Sequence, residues 1–317
     1  MAANLSIRQR FQAWQAIVGI SICAYLLLGA MTHTLRLYHW FLLLLIPAAW
    51  FAAERGRRFF IEWMPLFAFW LGYDRLRLLQ PYLLERVSVA PAYQFEIMLF
   101  GWLFNSVAPP HAARLWLATH AGEWFAVIIS AAAQVIYFSH IFLFPCLMLY
   151  WWLRSAFFKE NRATFTRHLV AFTILNISAI LCYVILPVAP PWWVSLYGVA
   201  QPTAELVAQT NMTQAMDGAL VQRMIGTAAT WFGAVPSLHG AYPVLLWLLA
   251  RREGGRLFLT LLALYGAMMW AATVVLNQHY LIDLLAGAGF ALAAYLLGAR
   301  LQDKLFPMLD KESPTGE

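Results

Sequence analysis

Charge is what this chain lacks. Only 11% of its 317 residues are Asp, Glu, Lys or Arg, against 62% hydrophobic residues. So few charges cannot coat a soluble globule of this length, and the mean hydropathy of +0.65 points instead to an all-α, polytopic membrane helical bundle. Cysteine is also scarce. Cys23, Cys146 and Cys182 lie inside apolar stretches without paired or metal-like spacing, which excludes a disulfide framework and an ordinary zinc site. No acidic or histidine cluster with metal-ligand spacing is visible, so the expected chemistry uses neither metal nor cofactor. Internal repeats and a separate soluble domain are absent too.

Aromatic residues make up 16% of the chain, and many of its 15 tryptophans stand at the ends of apolar runs, where an amphipathic ring suits the membrane interface. The net charge of +6 is spread as punctuation between those runs, which fits a positive-inside bias and argues against a nucleic-acid partner.

Apolar runs at 13–32 and 37–53 read as two helices, closed by the basic cluster Glu54-Arg55-Gly56-Arg57-Arg58. Arg8 and Arg10 precede the first run as in a signal peptide. A second span follows at once without a small-x-small cleavage site, so a retained first helix is expected. Phe59–Tyr73 is short and interrupted by Glu62 and Pro65; it either crosses or is re-entrant. Segment 92–104 is expected along the membrane surface. Glu123–Leu153 reads as one long helix bending at Pro145, in which His140 either packs through a hydrogen bond or lines a polar cavity. A span over 169–187 stops at Pro190-Pro191-Trp192-Trp193, which sets two indoles at the interface as anchors or as one wall of a headgroup pocket. Residues 194–232 read as a polar loop with a short helix, and spans follow at 236–250, 256–277 and 280–299. The chain thus divides into 1–120, N-terminal spans with an extracytoplasmic amphipathic segment; 121–302, a catalytic membrane core; and 303–317, a disordered cytoplasmic tail. About eight spans are expected.

Two segments carry the chemistry. Pro236-Ser237-Leu238-His239 and His279-Tyr280-Leu281-Ile282-Asp283 each place a histidine at the edge of an apolar run. Residues four apart share a helix face, so Asp283 can hold Nδ1 of His279 as a donor and leave Nε2 as a free lone pair. Asp283 also lies in an uncharged apolar run, where an ionisable group costs a few kcal/mol unless it has a partner or a function.

These segments, with Ala286-Gly287 and the upstream Pro187-x-Ala189-Pro190-Pro191-Trp192, resemble the type 2 phosphatidic acid phosphatase (PAP2) superfamily, and within it the inositol phosphorylceramide synthase branch. The resemblance implies that His279 attacks phosphorus, Asp283 orients it and His239 protonates the leaving oxygen. It implies a phospholipid donor and a lipid-alcohol acceptor of the ceramide or diacylglycerol type. Ser237, Tyr280, Trp192 and Trp193 are then expected beside the substrate. The sequence departs from the broader family where many members carry a Ser-Arg pair: here stand Ala272-Thr273, so cations must come from Arg75, Arg77 or Arg223.

Alternating the spans from a cytoplasmic N-terminus puts most basic residues inside and leaves Arg36, Arg75, Arg77, Arg86, Arg114 and Arg223 outside. His239 and His279 fall on the same outer side without use of the motif. The expectation is a bacterial inner-membrane enzyme, with a periplasmic site, that transfers a phosphoinositol-like headgroup through a phosphohistidine. A phosphatase of lipid or polyprenyl phosphates, and a non-catalytic scramblase or lipid-binding protein, are the alternatives.

Overall fold

The computed structural model describes residues 7–32, 35, 54–157, 162–211, 222, 228–252 and 254–305. The chain divides into two compact units, Met1–Pro65 and Leu66–Glu317. Residues 66–120, grouped with the N-terminal spans by hydropathy, fall in the same unit as the segments that bear His239 and His279. The expected span at 37–53, the loop cation Arg223 and most of the tail lie outside the described residues.

The described chain is helical. The first unit holds α1 (Ile7–Met31) and the start of α2 (Glu54–Leu83). The short run at Phe59–Tyr73 is therefore the middle of a 30-residue helix that continues through Arg75 and Arg77. Two short helices follow, α3 (Ala90–Phe100) and α4 (Pro109–Thr119), each with proline in its first turn, where its missing N–H costs nothing. α5 (Trp124–Phe157) runs unbroken past Pro145, and α6 (Arg162–Ile185) ends two residues before Pro187. The loop from 191 carries two short helices, α7 (Pro191–Tyr197) and α8 (Ala204–Gln209). α9 (Leu238–Ala250), α10 (Arg256–Val275) and α11 (Leu281–Leu305) complete the bundle.

Among the described residues four helices are long and apolar enough to cross a membrane: Trp124–Phe157, Ala163–Ile185, Arg256–Val275 and Leu281–Gln302. Leu238–Ala250 is shorter but equally apolar in character. Leucines and isoleucines on their outer faces are exposed, among them Ile128, Leu181, Leu261 and Leu296, as lipid-facing positions should be.

Glycine sets how closely the helices around the site approach. A Cβ on Gly287 of α11 would stand 2.2 Å from the carbonyl oxygen of Ser237, and one on Gly240 of α9 would stand 2.9 Å from Cα of Leu284. Each contact is backbone against backbone, so no side chain can move aside. α9 and α11 therefore touch along the turns that carry His239 and Asp283.

Candidate active site

Three loops meet where these helices begin. The N–H of Ser88 donates to Pro187 (2.8 Å) and that of Ala189 to Ser88 (3.0 Å), while Val188 donates to Phe232 (2.8 Å) and accepts from Ala234 (3.4 Å). The Pro-rich motif thus lies as a parallel bridge between the 88 loop and the segment leading to His239. It also reaches the second histidine. Trp192 N–H donates to Asn277 (3.1 Å), and the Asn277 amide donates to Ser195 (2.8 Å). Asn277 has φ +59°, a left-handed turn that asparagine tolerates, and this reverses the chain between α10 and α11.

At this junction Nδ1 of His239 and Nε2 of His279 stand 3.1 Å apart. His279 turns its Nδ1 to Oδ2 of Asp283 at 3.4 Å, and the same oxygen accepts the backbone N–H of Tyr280 at 2.9 Å. Asp283 is fully buried, and its Oδ1 has no hydrogen-bond partner among the described residues. The contact to His279 is long for a hydrogen bond, but it fixes which nitrogen faces the carboxylate. With the proton on that nitrogen, Nε2 of His279 carries the lone pair and faces Nδ1 of His239.

Ser237 caps α9, its hydroxyl accepting from Gly240 N–H at 3.2 Å, while its own N–H donates to the carbonyl of Asp283 at 3.1 Å. The first turn of α9, which bears His239, is therefore tied to the first turn of α11, just after His279. Tyr183 completes the frame by donating its hydroxyl to Pro236 at 2.9 Å.

Of the residues expected beside the substrate, Tyr280 is fully buried and its hydroxyl has no hydrogen-bond partner among the described residues. Its ring faces that of His111 at 6.4 Å. Trp192 and Trp193 are 1% and 0% exposed, so they are neither surface anchors nor an open wall. They pack with Leu84, Phe232, Tyr137 and Leu276 in one apolar cluster, because α7 turns its first residues inward. Arg75 and Arg77 lie on α2 beside Leu76, which is buried with Tyr183 in a cluster that Leu238 joins. Arg77 also pairs with Asp74. The structure thus brings their turn to the segment just before His239.

Three residues near the histidines were not assigned to the site by sequence reasoning. Tyr137 stacks on His239 with ring centroids 4.4 Å apart, and His140, one turn on along α5, meets the same imidazole edge-on at 4.2 Å. The third is Glu96 of α3, fully buried, whose two oxygens accept the N–H groups of Leu281 (2.9 Å) and Ile282 (3.1 Å) at the start of α11. Burial pushes its carboxyl up to about 7, against the pull of those two N–H groups and with help from nearby Asp283. One signal was available. Glu96 is the one charged residue between Arg86 and Arg114, in a stretch otherwise fit for lipid contact. His111, bonded to the carbonyl of Pro191 at 3.0 Å, is held below its ordinary pKa by burial. Among the described residues no group of three or more His, Cys, Asp or Glu is arranged to hold a metal ion.

A family model described as the PAP2 superfamily matches residues 102–297. A phosphoinositol dihydroceramide synthase of Bacteroides thetaiotaomicron is 29% identical over 286 residues, covering 87% of this chain and 88% of that protein. The inositol phosphorylceramide synthase of Candida albicans is 28% identical over 134 residues, 39% of this chain and 27% of its own. The inositol phosphorylceramide synthase catalytic subunit AUR1 of Saccharomyces cerevisiae is 30% identical over 118 residues, 36% of this chain and 29% of its own. This chain therefore spans under a third of either fungal relative. No solved structure matches it. Because the family match runs through the segments bearing His239, His279 and Asp283 and takes in more than half of the residues, the chain belongs to the PAP2 superfamily.

Proposed function

We propose that this protein is a membrane lipid phosphotransferase that moves a phosphoinositol headgroup from a phospholipid to the hydroxyl of a ceramide-type lipid. The observation that carries the reading is the 3.1 Å contact of the two imidazoles, with Asp283 behind the second, in a chain alike over nearly its whole length to a phosphoinositol dihydroceramide synthase.

In the first half-reaction Nε2 of His279 attacks phosphorus, and a P–N bond forms as the P–O bond to the diacylglycerol oxygen breaks. His239, as imidazolium, gives its proton to that oxygen. In the second half the acceptor hydroxyl attacks phosphorus and passes its proton to His239, and the P–N bond breaks to restore His279. Asp283 steadies the charge that develops on His279 and holds its tautomer. Arg75 and Arg77 are the described candidates for neutralising the phosphate oxygens, since α2 brings their turn to the His239 segment. The site opens on the extracytoplasmic side of a bacterial inner membrane. Arg251, set over the ring of Tyr295, and Arg167, bonded to Gln302 at 3.0 Å, mark the opposite end of α11, as the positive-inside rule asks of a cytoplasmic end.

A phosphohistidine can be resolved by water as well as by a lipid alcohol, so the test is the partition between them. Purified protein is given phosphatidylinositol while ceramide, and separately diacylglycerol, is titrated in. Transferred headgroup should overtake released headgroup as acceptor saturates. Release to water that stays dominant with both acceptors overturns the transferase reading in favour of a phosphatase.

A further inference from the structure

Glu96 is a buried carboxylate with no part in the reaction outlined above. It stands 185 residues before its nearer partner, yet Oε1 accepts from Leu281 N–H at 2.9 Å and Oε2 from Ile282 N–H at 3.1 Å. The first N–H groups of any helix lack intrahelical acceptors and are usually satisfied by a local N-cap side chain. At α11 the acceptors are two carboxylates. Asp283 turns back to take Tyr280 N–H, and Glu96 reaches in from α3 for the next two. The turn so held has His279 just before it and Asp283 within it.

We propose that Glu96 is a positioning residue for His279: by holding the N–H groups of Leu281 and Ile282 from another helix, it fixes the turn from which Asp283 reaches Nδ1 and so aims Nε2 at phosphorus. The proposal rests on His279 as the attacking group. Asp283 on α11, Tyr280 just before that helix, Tyr93 on α3 and His111 on α4 are the titratable groups grouped around Glu96. Neither Gln nor Asp can replace Glu fully. Glutamine keeps one acceptor oxygen but turns an NH2 toward the second N–H, and aspartate is one methylene too short to reach.

The assay uses the full chain in lipid nanodiscs with phosphatidylinositol as donor and ceramide as acceptor, and records total donor cleaved as well as its partition between lipid and water. Glu96→Ala should lower kcat on the order of 10²-fold, the usual cost of a small misplacement, with KM for the donor changed less than about threefold. Glu96→Gln should recover part of kcat. Gln302→Ala serves as the control, because it removes bonds to Arg167 and Ala163 at the far end of the same helix. It should lower the melting temperature and leave kcat near wild type. Both Glu96 variants within about twofold of wild-type kcat, or Gln302→Ala losing kcat as severely at a similar loss of melting temperature, overturn the proposal. If Glu96→Ala does not fold, the isosteric Glu96→Gln decides. Wild-type protein that cleaves donor only to water overturns the transferase reading and leaves Glu96 judged on cleavage. A His279→Ala protein that still cleaves donor overturns both the attacking role and this proposal.

Discussion

Nδ1 of His239 lies 3.1 Å from Nε2 of His279, and that distance leaves no place for phosphorus. A nucleophile approaches the atom it attacks at about 3–3.5 Å, and the leaving oxygen must stand beyond that atom before a second imidazole can reach it. In the proposed reaction, substrate must therefore part the two rings. Tyr137 and His140 bracket His239 on two sides, so the ring's movement is guided by α5. With the N–H of His279 turned to Asp283, Nε2 of His279 is the acceptor and Nδ1 of His239 the donor across this contact.

The two histidines should fail differently. His279→Ala should abolish turnover together with any acid-labile phosphoenzyme. His239→Ala should slow donor cleavage by about 10²- to 10⁴-fold and should slow it least for donors with good leaving groups. Trapping with radiolabelled headgroup and acid quench measures both. Steady turnover by purified His279→Ala would rule out a covalent intermediate on that residue.

Gly287→Ala should separate the helices that carry the site. Its new methyl carbon would meet the Ser237 carbonyl at 2.2 Å, and overpacking of this kind costs about 1–3 kcal/mol. Ser237 precedes His239 by two residues, so kcat should fall further than stability alone explains. Gly289→Ala on the same helix, with open space around it, should change neither. The pair is read by kcat and by thermal unfolding in detergent.

Sidedness follows from the two ends of the bundle. In a protein lacking Cys23, Cys146 and Cys182, a cysteine at exposed Val199 should react with an impermeant reagent from outside the cell, and one at exposed Arg252 only after the membrane is opened. Labelling of both from the same side would overturn the topology.

Stability should depend on pH through Glu96. Its carboxyl is raised from an ordinary 4.5 to about 7, so the folded state binds the proton more tightly than the unfolded chain does. The stabilisation is complete below the ordinary value and is lost as pH rises through the folded one. Melting temperature should therefore decline between about pH 5 and pH 8 more steeply in the wild type than in Glu96→Gln, which cannot ionise. Equal slopes would show that Glu96 does not titrate in this range.

Much of the site was legible because its residues are local in sequence. His279 and Asp283 are one helical turn apart, and Pro236-Ser237 announces a capped helix start, so period and capping chemistry sufficed to place them. The shared side of the two histidines followed from hydropathy and charge. What escaped were partnerships across long separations. Glu96 reads as a flanking charge on a surface segment until α3 is seen to turn it inward while Phe95, Met98 and Trp102 face outward. Trp192 and Trp193 carry the composition of interface anchors, and only the inward fold of α7 buries them. Phe59–Tyr73 reads as an uncertain span because its apolar run is short and is interrupted by Glu62 and Pro65. Hydropathy cannot see that the helix continues through charged Asp74, Arg75 and Arg77.

The bond from Glu96 to the start of α11 also orders events during synthesis. The carboxylate is made early and its two donors arrive 185 and 186 residues later, with the last described helix. Until that helix enters the membrane, His279 has neither its aspartate in register nor its turn pinned from α3. A nascent chain that has reached only α10 carries His239 but neither His279 nor Asp283.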